Sequence, residues 1–517
     1  MLDLLIVITY FTAIMLVALK GRAVANATVE SYFLSNRNLR WPSIALSTIA
    51  TNINGYQFLG MMGSAYLYGL AQASLEINAV QGILMAAFIF VPMYLKDGII
   101  TISQFIKNRL GERVGLIYTI ANILLFSTIT LGAALFWGAY AADLVFAEYL
   151  SVIHEDRIVR ISILVIGLGV FSAIYTYLGG LGAVVKTDII QFGILLTGGI
   201  VITLVTIYHF GGWQQLYIRT PEMMHLHLPA DHEKLPWIHI FGLFLLNINY
   251  WCANQTVMQR SIAAKSLREA QIGLMVGGVM KYVMAVIIIV PGIALYGILQ
   301  ESGTPLSEPD LAFPYIVKTY LPIGAKGIIL CALFASLMST VDSTFNSLAT
   351  LWSIDIYKTY INKEASDSQV ISAGRKTILV TLFTGIIMGL ILLYVKFENP
   401  EDAFTHTLNE LRYYINCGIV VLICSAAFLV APNHRVALIA FLVTIPLHLI
   451  IIHFFPEMNY FVRAGWVIVI AFMIVYASSY KEGWTKWKNL IRYDDRAVWQ
   501  VGLGLASSLV LLHVVFH

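Results

Sequence analysis

The chain has 517 residues, of which 59% are hydrophobic and 12% are charged, and its formal net charge is +3. A soluble protein of this length carries about twice that charged fraction, so the composition excludes an ordinary soluble domain. Apolar runs of about 18 residues or more recur along the whole chain, and each predicts a membrane-spanning helix. We therefore expect an all-α, polytopic membrane protein in contact with the lipid bilayer, without a nucleic-acid partner.

About fourteen spans are predicted in chain order. They lie near residues 3–20, 42–68, 75–96, 115–147, 159–178, 183–208, 238–257, 272–298, 323–354, 373–395, 402–430, 436–454, 460–479 and 497–516. The loops after the first span and after every second span from there carry most of the 32 lysines and arginines, Arg260 among them. Basic loops stay on the cytoplasmic side, so both termini are expected on the outer side of a plasma or inner membrane.

Two segments are polar where lipid-facing residues are expected. The first is "IATNINGYQFLGMMG" (Ile49–Gly63), and the second is "FLLNINYWCANQTVMQR" (Phe244–Arg260). Irregular backbone at membrane depth is tolerated only where it lines a cavity, and paired broken helices mark the binding sites of many transporters. The alternative is a pair of helix interfaces packed through small polar residues. The presence of two such segments favours a binding site.

Several ionisable residues inside the predicted spans are candidates for a function. They are Glu76, Asp188, Lys281, Asp342, Glu410 and Arg412. Each would cost about 2.5–3.5 kcal/mol at a lipid-facing helix centre, so each is expected to face the bundle interior. Their role there is either functional or that of a structural ion pair between helices.

Small hydroxyl residues form a stripe in "ASLMSTVDSTFNS" (Ala335–Ser347). Ser336, Ser339, Thr340, Ser343 and Ser347 recur at the spacing of one helix face. The stripe is either a close-packing seam or one side of a Na⁺ site. In the second case, hydroxyl oxygens and backbone carbonyls freed near Thr51 would replace the water around the ion.

Several motifs resemble the sodium:solute symporter family, most closely its sodium–sugar (glucose/galactose) cotransporter branch. They include "ESYFLSNRNLRWPS" (Glu30–Ser43), "AIYTYLGGLGAVVKTDIIQ" and "NYWCANQTVMQRSIAAKSLREAQIG". The resemblance implies a LeuT-type fold of two inverted five-helix repeats in a single transmembrane domain, 1–517. It places a leading helix and loop at 1–41, the repeats at 42–208 and 238–430, and trailing helices at 436–517. It also implies that the first repeat begins with a broken helix, unwound at Asn52–Gly55.

The resemblance implies a binding site for Na⁺ and for a sugar or polyol. The principal Na⁺ would take backbone carbonyls from Ala50, Ile53 and Ser336 and hydroxyls from Ser339 and Thr340. The substrate would contact Gln57, Glu76, Asn247, Tyr250, Lys281 and Asn409. The gates would be formed by Met61 on the outer side and by Tyr250 with Asn254 on the inner side. Amide, carboxylate and ammonium groups match polyol hydroxyls, and an aromatic ring suits a pyranose.

The chain departs from the sugar branch around the last of these positions. Asn409 replaces a longer glutamine, Leu75 and Thr405 replace aromatic outer-gate residues, and Arg412 follows nearby. Arginine suits planar carboxylates, so an acidic sugar or another anion is an alternative substrate. A structural ion pair of Arg412 with Glu410 or an aspartate is the interpretation that the sequence favours.

A second cation, Na⁺ or a proton, is a further expectation. Some members of the wider family carry an additional sodium near an acidic residue at the position of Asp188. Here Ser339, Asp342 and Ser343 would complete that site, since two carboxylates this close require protonation or a cation. The competing interpretation is that Asp188 pairs with a cytoplasmic lysine or arginine while Asp342 binds nothing.

Together these features predict a secondary active transporter that couples a small-molecule substrate to Na⁺ by alternating access. An enzyme would need a convergent nucleophile and base or a metal set, which the sequence does not indicate. A sodium-dependent sensor or a channel is a less favoured alternative. No obligate protein partner is expected.

Overall fold

The computed structural model describes residues 2–20, 27–53, 55–398 and 404–517, except for the side chains of 404–409 and 487–488. Within these residues the secondary structure is helical, apart from three isolated β-bridges. Eleven of the described helices are long and apolar enough to cross a membrane. The prediction of an all-α, polytopic membrane protein is therefore confirmed.

Some of the long helices follow one another directly, and others are separated by segments that contain shorter helices. Their bounds are Leu2–Lys20, Gln57–Asp97, Glu112–Leu150, Arg157–Phe210, Leu267–Ser302, Ala325–Ile361, Asp367–Glu398, Phe404–Phe428, His434–Phe454, Tyr460–Ser479 and Arg496–Val515. Shorter α-helices span Val29–Leu34, Trp41–Asn52, Ile102–Leu110, Gln214–Arg219, His239–Ile248, Gln255–Ile262, Ala312–Tyr320 and Trp487–Leu490.

The eleven long helices do not reproduce the predicted count of fourteen spans, which is not confirmed. One reason is that Arg157–Phe210 is a single helical run of 54 residues, which contains two predicted spans. A straight helix of that length would measure about 80 Å, more than twice the hydrocarbon thickness of a bilayer. The run turns sharply at Gly180, whose φ is 57° and ψ is −151°. The loop predicted between these two spans is therefore a turn at Gly180 within one helical run.

The first polar segment interrupts a helix, as predicted. The helix Trp41–Asn52 ends at Ile53, whose backbone is extended (φ −90°, ψ 120°). Asn54 lies outside the described residues, and Gly55 is helical again, so the interruption is shorter than the predicted Asn52–Gly55. We call Trp41–Asn52 together with Gln57–Asp97 the first interrupted helix. Its second part, Gln57–Asp97, turns at Gly69, whose φ is 58°. The sequence predicted the end of a span at residue 68, next to this turn.

The second polar segment interrupts another helix. His239–Ile248 continues as a π-helical turn over Asn249–Ala253 and ends at Asn254, whose φ is −86° and ψ is 113°. The Asn254 side chain accepts a hydrogen bond from the Thr256 amide at 2.9 Å and so caps the next helix, Gln255–Ile262. We call these elements the second interrupted helix. Because it is broken, its predicted span at 238–257 is not one of the eleven long helices.

The helix that carries the hydroxyl stripe lies at the centre of the bundle. In Ala325–Ile361, here called the hydroxyl-rich helix, every residue from Ile329 to Thr350 is buried. A helix buried on all sides belongs to the core rather than to the lipid-facing surface. It packs against Arg157–Phe210 and against the first interrupted helix. The two inverted repeats and their boundaries stay a prediction.

Candidate substrate and cation site

A cavity of about 300 Å³ lies between the two interrupted helices. Asn52 and Gln57 from the first and Asn247 and Tyr250 from the second face it, together with Thr340 of the hydroxyl-rich helix. A volume of this size is at the lower end of the range for small-molecule sites in proteins. The broken helices therefore frame a space that matches a monosaccharide in size.

The predicted substrate and gate residues divide into two groups. Gln57, Asn247, Tyr250 and Asn254 line the cavity, whereas Glu76, Lys281 and Met61 are buried outside its lining. The Asn409 side chain, and that of Thr405, lie outside the described residues. The four lining residues are thus in position to contact a substrate, and the other three are not in this conformation.

Glu76 and Lys281 form a buried ion pair behind the cavity. The Lys281 ammonium donates to the Glu76 carboxylate and, at 2.6 Å, to the side-chain oxygen of Asn52. Both charged groups are almost completely inaccessible to solvent. The structural ion pair considered from the sequence accounts for this geometry, and a direct contact of either residue with substrate stays a prediction.

Backbone carbonyls fix the two amide side chains of the cavity. Gln57 Nε2 donates to the Asn52 carbonyl at 3.0 Å, and Asn247 Nδ2 donates to the Asn78 carbonyl at 2.9 Å. A side-chain amide offers two donor hydrogens and one acceptor oxygen, so Asn247 retains further hydrogen-bonding capacity. Such groups pair with sugar hydroxyls.

Aromatic rings form much of the remaining wall. Tyr56, Trp137, Tyr250 and Tyr413 all line the cavity. The Tyr250 ring packs edge-on against Trp251 with 5.1 Å between the centroids, which fixes its orientation. Flat apolar faces beside amide groups suit the mixed C–H and hydroxyl surface of a pyranose.

The predicted principal Na⁺ position lies where the first interrupted helix meets the hydroxyl-rich helix. Thr340 Oγ1 is 3.1 Å from the Thr51 carbonyl and 3.2 Å from the Ser336 carbonyl. The end of a helix leaves its last carbonyls without intrahelical donors, and Ala50 and Ile53 belong to this end. The structure therefore brings together the two elements that supply the predicted ligands.

Ser339 faces a buried cluster built around Asp188. The carboxylate of Asp188 accepts hydrogen bonds from the hydroxyls of Ser339 and Ser47, and the Arg260 guanidinium lies 3.2 Å away. Arg260 also donates to Ser343. The sequence assigned Arg260 to a cytoplasmic loop, but it is completely buried in the second interrupted helix.

Asp342 belongs to the same cluster. Its carboxylate accepts hydrogen bonds from the Tyr175 hydroxyl at 2.6 Å and from the Ser343 hydroxyl at 3.3 Å. The four residues predicted for a second cation therefore converge, and Arg260 lies among them as a fixed positive charge. This arrangement contains the Asp188–arginine pair of the competing interpretation, while Asp342 has partners that the sequence did not indicate.

Arg412 lines the cavity without the partner that the sequence favoured. Glu410 pairs with Arg463 of the helix Tyr460–Ser479, so the predicted Arg412–Glu410 pair is not formed. The Arg412 Nε atom is buried and has no hydrogen-bond partner. The sequence analysis did not single out Arg463, although this residue lies near the start of the predicted span at 460–479, because a basic residue near a span end resembles one that faces the membrane surface.

Comparison with known proteins gives the family. A family model described as the sodium:solute symporter family matches residues 32–444. The sodium/glucose cotransporter of Vibrio parahaemolyticus is 28% identical over 95% of this chain and 90% of its own length. The symporter YidK of Escherichia coli is 30% identical over 79% of this chain and 71% of its own. Sodium/glucose cotransporter 1 of Ovis aries is 29% identical over 74% of this chain and 62% of its own length.

Two solved structures share the fold. A Na⁺-coupled sialic acid symporter, substrate-bound and outward-open, superposes with a TM-score of 0.80 at 19% identity, covering 94% of this chain and 99% of the other. A nucleobase–cation-symport-1 family transporter in a closed conformation superposes with a TM-score of 0.51 at 13% identity. The match covers 91% of this chain and 97% of the other. Both likenesses confirm the LeuT-type fold class predicted from the sequence.

The family match covers most of the chain and includes both interrupted helices and the hydroxyl-rich helix. Members of this family are transporters rather than enzymes. The solute is not fixed by the family match. This chain belongs to the sodium:solute symporter family and is a multi-pass membrane protein that couples the transport of a small solute to Na⁺.

Proposed function

We propose that the solute is a sugar or polyol, carried together with Na⁺ by alternating access. The observation that carries this proposal is the cavity between the interrupted helices, where the amides of Gln57 and Asn247 lie beside the rings of Tyr250 and Trp137. The similarity to sodium/glucose cotransporters of bacterial and animal origin supports the same substrate class. We place the transporter in the plasma or inner membrane with both termini outside, following the distribution of basic loops.

The principal Na⁺ is proposed to bind carbonyls of Ala50, Ile53 and Ser336 and hydroxyls of Ser339 and Thr340. A hydroxyl has two acceptor lone pairs besides its donor hydrogen. Thr340 and Ser339 can therefore donate to the Thr51 carbonyl and to Asp188, as they do here, and still offer oxygen to a cation. This site lies on the cavity side of the bundle core.

Asp188, Ser339, Asp342 and Ser343 are the proposed second cation position. The convergence of two carboxylates and two hydroxyls supports it, since each carboxylate can offer several oxygen lone pairs. The Arg260 guanidinium occupies the space between Asp188 and Ser343. A cation at this position would therefore compete with Arg260 for the oxygens of Asp188 and Ser343.

The gates are proposed to use residues on both sides of the cavity. Tyr250 and Asn254 line its wall and form the inner gate, where the side chain of Asn254 already caps a helix. Met61 is buried beyond the cavity lining, and it is proposed to reach the substrate only when the outer side closes. Glu76 and Lys281 would contact the sugar only after their mutual ion pair rearranges.

The proposal is tested with the purified full-length protein in liposomes. An inward Na⁺ gradient should drive concentrative uptake of a labelled hexose, and replacing Na⁺ by K⁺ should abolish it. Competition by a panel of unlabelled hexoses, polyols and sugar acids would rank these compounds by their apparent affinity. Uptake that only equilibrates the solute would indicate a channel, and binding without uptake would indicate a sensor. Either result would contradict the proposed function.

A further inference from the structure

The cavity carries one charged side chain among the described residues, and that charge is positive. Arg412 is the only lysine, arginine, aspartate or glutamate in the described lining. Three other lysines and arginines near the core are paired with carboxylates, in the ion pairs Glu76–Lys281, Asp188–Arg260 and Arg463–Glu410. No carboxylate in the described part of the chain pairs with Arg412.

The hydrogen-bonding groups of Arg412 are also incompletely used. Its Nε atom is buried without a partner, and one turn further along the same helix the side-chain oxygen of Asn416, another lining residue, is buried without one. A buried donor without a partner is costly, and a buried charge without a counter-charge is more costly. The Arg412 guanidinium is therefore available to a ligand with a negative charge and acceptor oxygens, and the Asn416 oxygen is available to a ligand hydroxyl that donates a hydrogen bond.

The geometry of the guanidinium group determines which kind of anionic group would fit it. Arginine presents a planar fork of N–H donors that matches the two oxygens of a carboxylate. A lysine or a metal ion would attract any anion, whereas this fork favours a planar one. The amides and aromatic rings of the same cavity would at the same time bind hydroxyls and an apolar ring face.

We propose that the transported sugar carries a carboxylate, as a hexuronic acid does, and that Arg412 binds this group. The inference rests on the proposed function, because it specifies the substrate class of the same cavity. Gln57 and Asn247 would hold the hydroxyls of the ring while Arg412 neutralises the acid. Arg412 would then discriminate sugar acids from neutral sugars.

The experiment compares galacturonate with galactose in liposomes that contain the full-length protein. Na⁺-driven uptake of galacturonate is expected, and unlabelled galacturonate should compete with it at least tenfold more strongly than galactose does. In Arg412→Gln the apparent affinity for galacturonate should fall about 10- to 100-fold, because a charged hydrogen-bond pair is lost. Arg412→Lys should recover part of it. Arg435→Gln, which removes an exposed arginine outside the cavity, is the matched control and should leave uptake unchanged.

The outcomes separate this inference from the proposed function. Na⁺-driven uptake of galactose that galacturonate does not inhibit would overturn the inference and leave the proposed function standing. Absence of Na⁺-driven uptake for both sugars would overturn both. Thermal unfolding of Arg412→Gln in detergent, with and without galacturonate, checks folding independently of transport. A folded variant that galacturonate stabilises as strongly as the parent would also overturn the role of Arg412.

Discussion

Asp188 and Arg260 form an ion pair of 3.2 Å in which neither side chain is exposed to solvent. Ser47 lies between them and bonds to both. The cluster joins Arg157–Phe210 to both interrupted helices, and Ser339 and Ser343 connect it to the hydroxyl-rich helix. Four segments of the core are therefore held through one pair of charges.

Breaking this pair should destabilise the protein strongly. Asp188→Asn leaves a buried guanidinium without its counter-charge, and the expected loss is roughly 3–5 kcal/mol in the free energy of unfolding. The double variant Asp188→Asn/Arg260→Gln should lose less free energy of unfolding than the sum of the losses in the two single variants. Thermal unfolding in detergent measures the stability of the single and double variants. The exposed pair of Asp97 with Arg109 is the control, since Asp97→Asn should cost less than about 1 kcal/mol. Equal losses for Asp188→Asn and Asp97→Asn would contradict the prediction.

Removal of the Thr340 hydroxyl should weaken sodium coupling. Thr340→Ala is expected to raise the Na⁺ concentration for half-maximal uptake, because one proposed oxygen ligand is lost, and Ser339→Ala should act in the same direction. Thr340→Ser should retain near-parent behaviour. Thr381→Ala is the control, since this buried hydroxyl donates only within its own helix, to the carbonyls of Thr377 and Ile378. Unchanged sodium dependence in both site variants would exclude the assignment.

The amide residues of the cavity and the ion pair behind it should respond differently to substitution. Gln57→Ala and Asn247→Ala should lower substrate affinity by one to two decades, since each unpaired polar partner costs about 1–3 kcal/mol. Substrate titration by uptake measures this. Their thermal unfolding should change little.

Lys281→Ala should instead lower the unfolding temperature, because it leaves the Glu76 carboxylate buried without its counter-charge. The double variant Glu76→Gln/Lys281→Met should be more stable than Lys281→Ala alone. A Lys281→Ala protein with parent stability and no substrate binding would show that Lys281 acts on the substrate and not mainly on the fold.

The number of coupled cations should depend on the carboxylates near Arg260. Each charge moved inward adds about 2.3 kcal/mol of driving force per 100 mV. If the second site binds Na⁺, parallel uptake of labelled Na⁺ and labelled substrate should give two cations per substrate, a ratio that does not depend on the charge of the substrate. In Asp342→Ala the same measurement should give one cation per substrate. A parent ratio of one cation per substrate would exclude the second coupled cation.

The turn at Gly180 should tolerate no side chain. Its φ of 57° lies in the left-handed region, and an added Cβ would collide with the backbone carbonyl of Tyr32. Gly180→Ala is expected to reduce the yield of folded protein and to lower its unfolding temperature. Gly193→Ala, on the same helical run with open space around it, should be neutral or slightly stabilising. Equal unfolding temperatures for the two variants would contradict this account.

The sequence predicted the membrane setting, the two interruptions and the hydroxyl stripe, because each depends on local composition or on the period of a helix. It did not predict which charges pair. Glu410 lies two residues from Arg412 in sequence but contacts Arg463 from another helix, since adjacent positions on a helix point in different directions. Arg260 was misplaced for a related reason, as an arginine after a polar segment resembles a loop residue until its buried partner is known.

The predicted count of fourteen spans is not confirmed, because long helices and predicted spans do not correspond one to one. The glycine-rich interval near Gly180 predicts a loop, but the sequence does not show that the helix resumes directly after it. It also cannot show whether Asn52 or Ile53 is the last helical residue, because backbone dihedral angles depend on the groups packed around them.

The position of Asn52 has a thermodynamic consequence. Its carbonyl holds Gln57 at 3.0 Å, its side chain holds Lys281 at 2.6 Å, and it lies between Ala50 and Ile53, whose carbonyls are proposed to bind Na⁺. An ion that orders this stretch of backbone would also order the Gln57 amide, which is proposed to bind the substrate. Linkage makes such an effect reciprocal: the factor by which Na⁺ tightens substrate binding equals the factor by which substrate tightens Na⁺ binding. The two factors can therefore be measured independently, and they must agree.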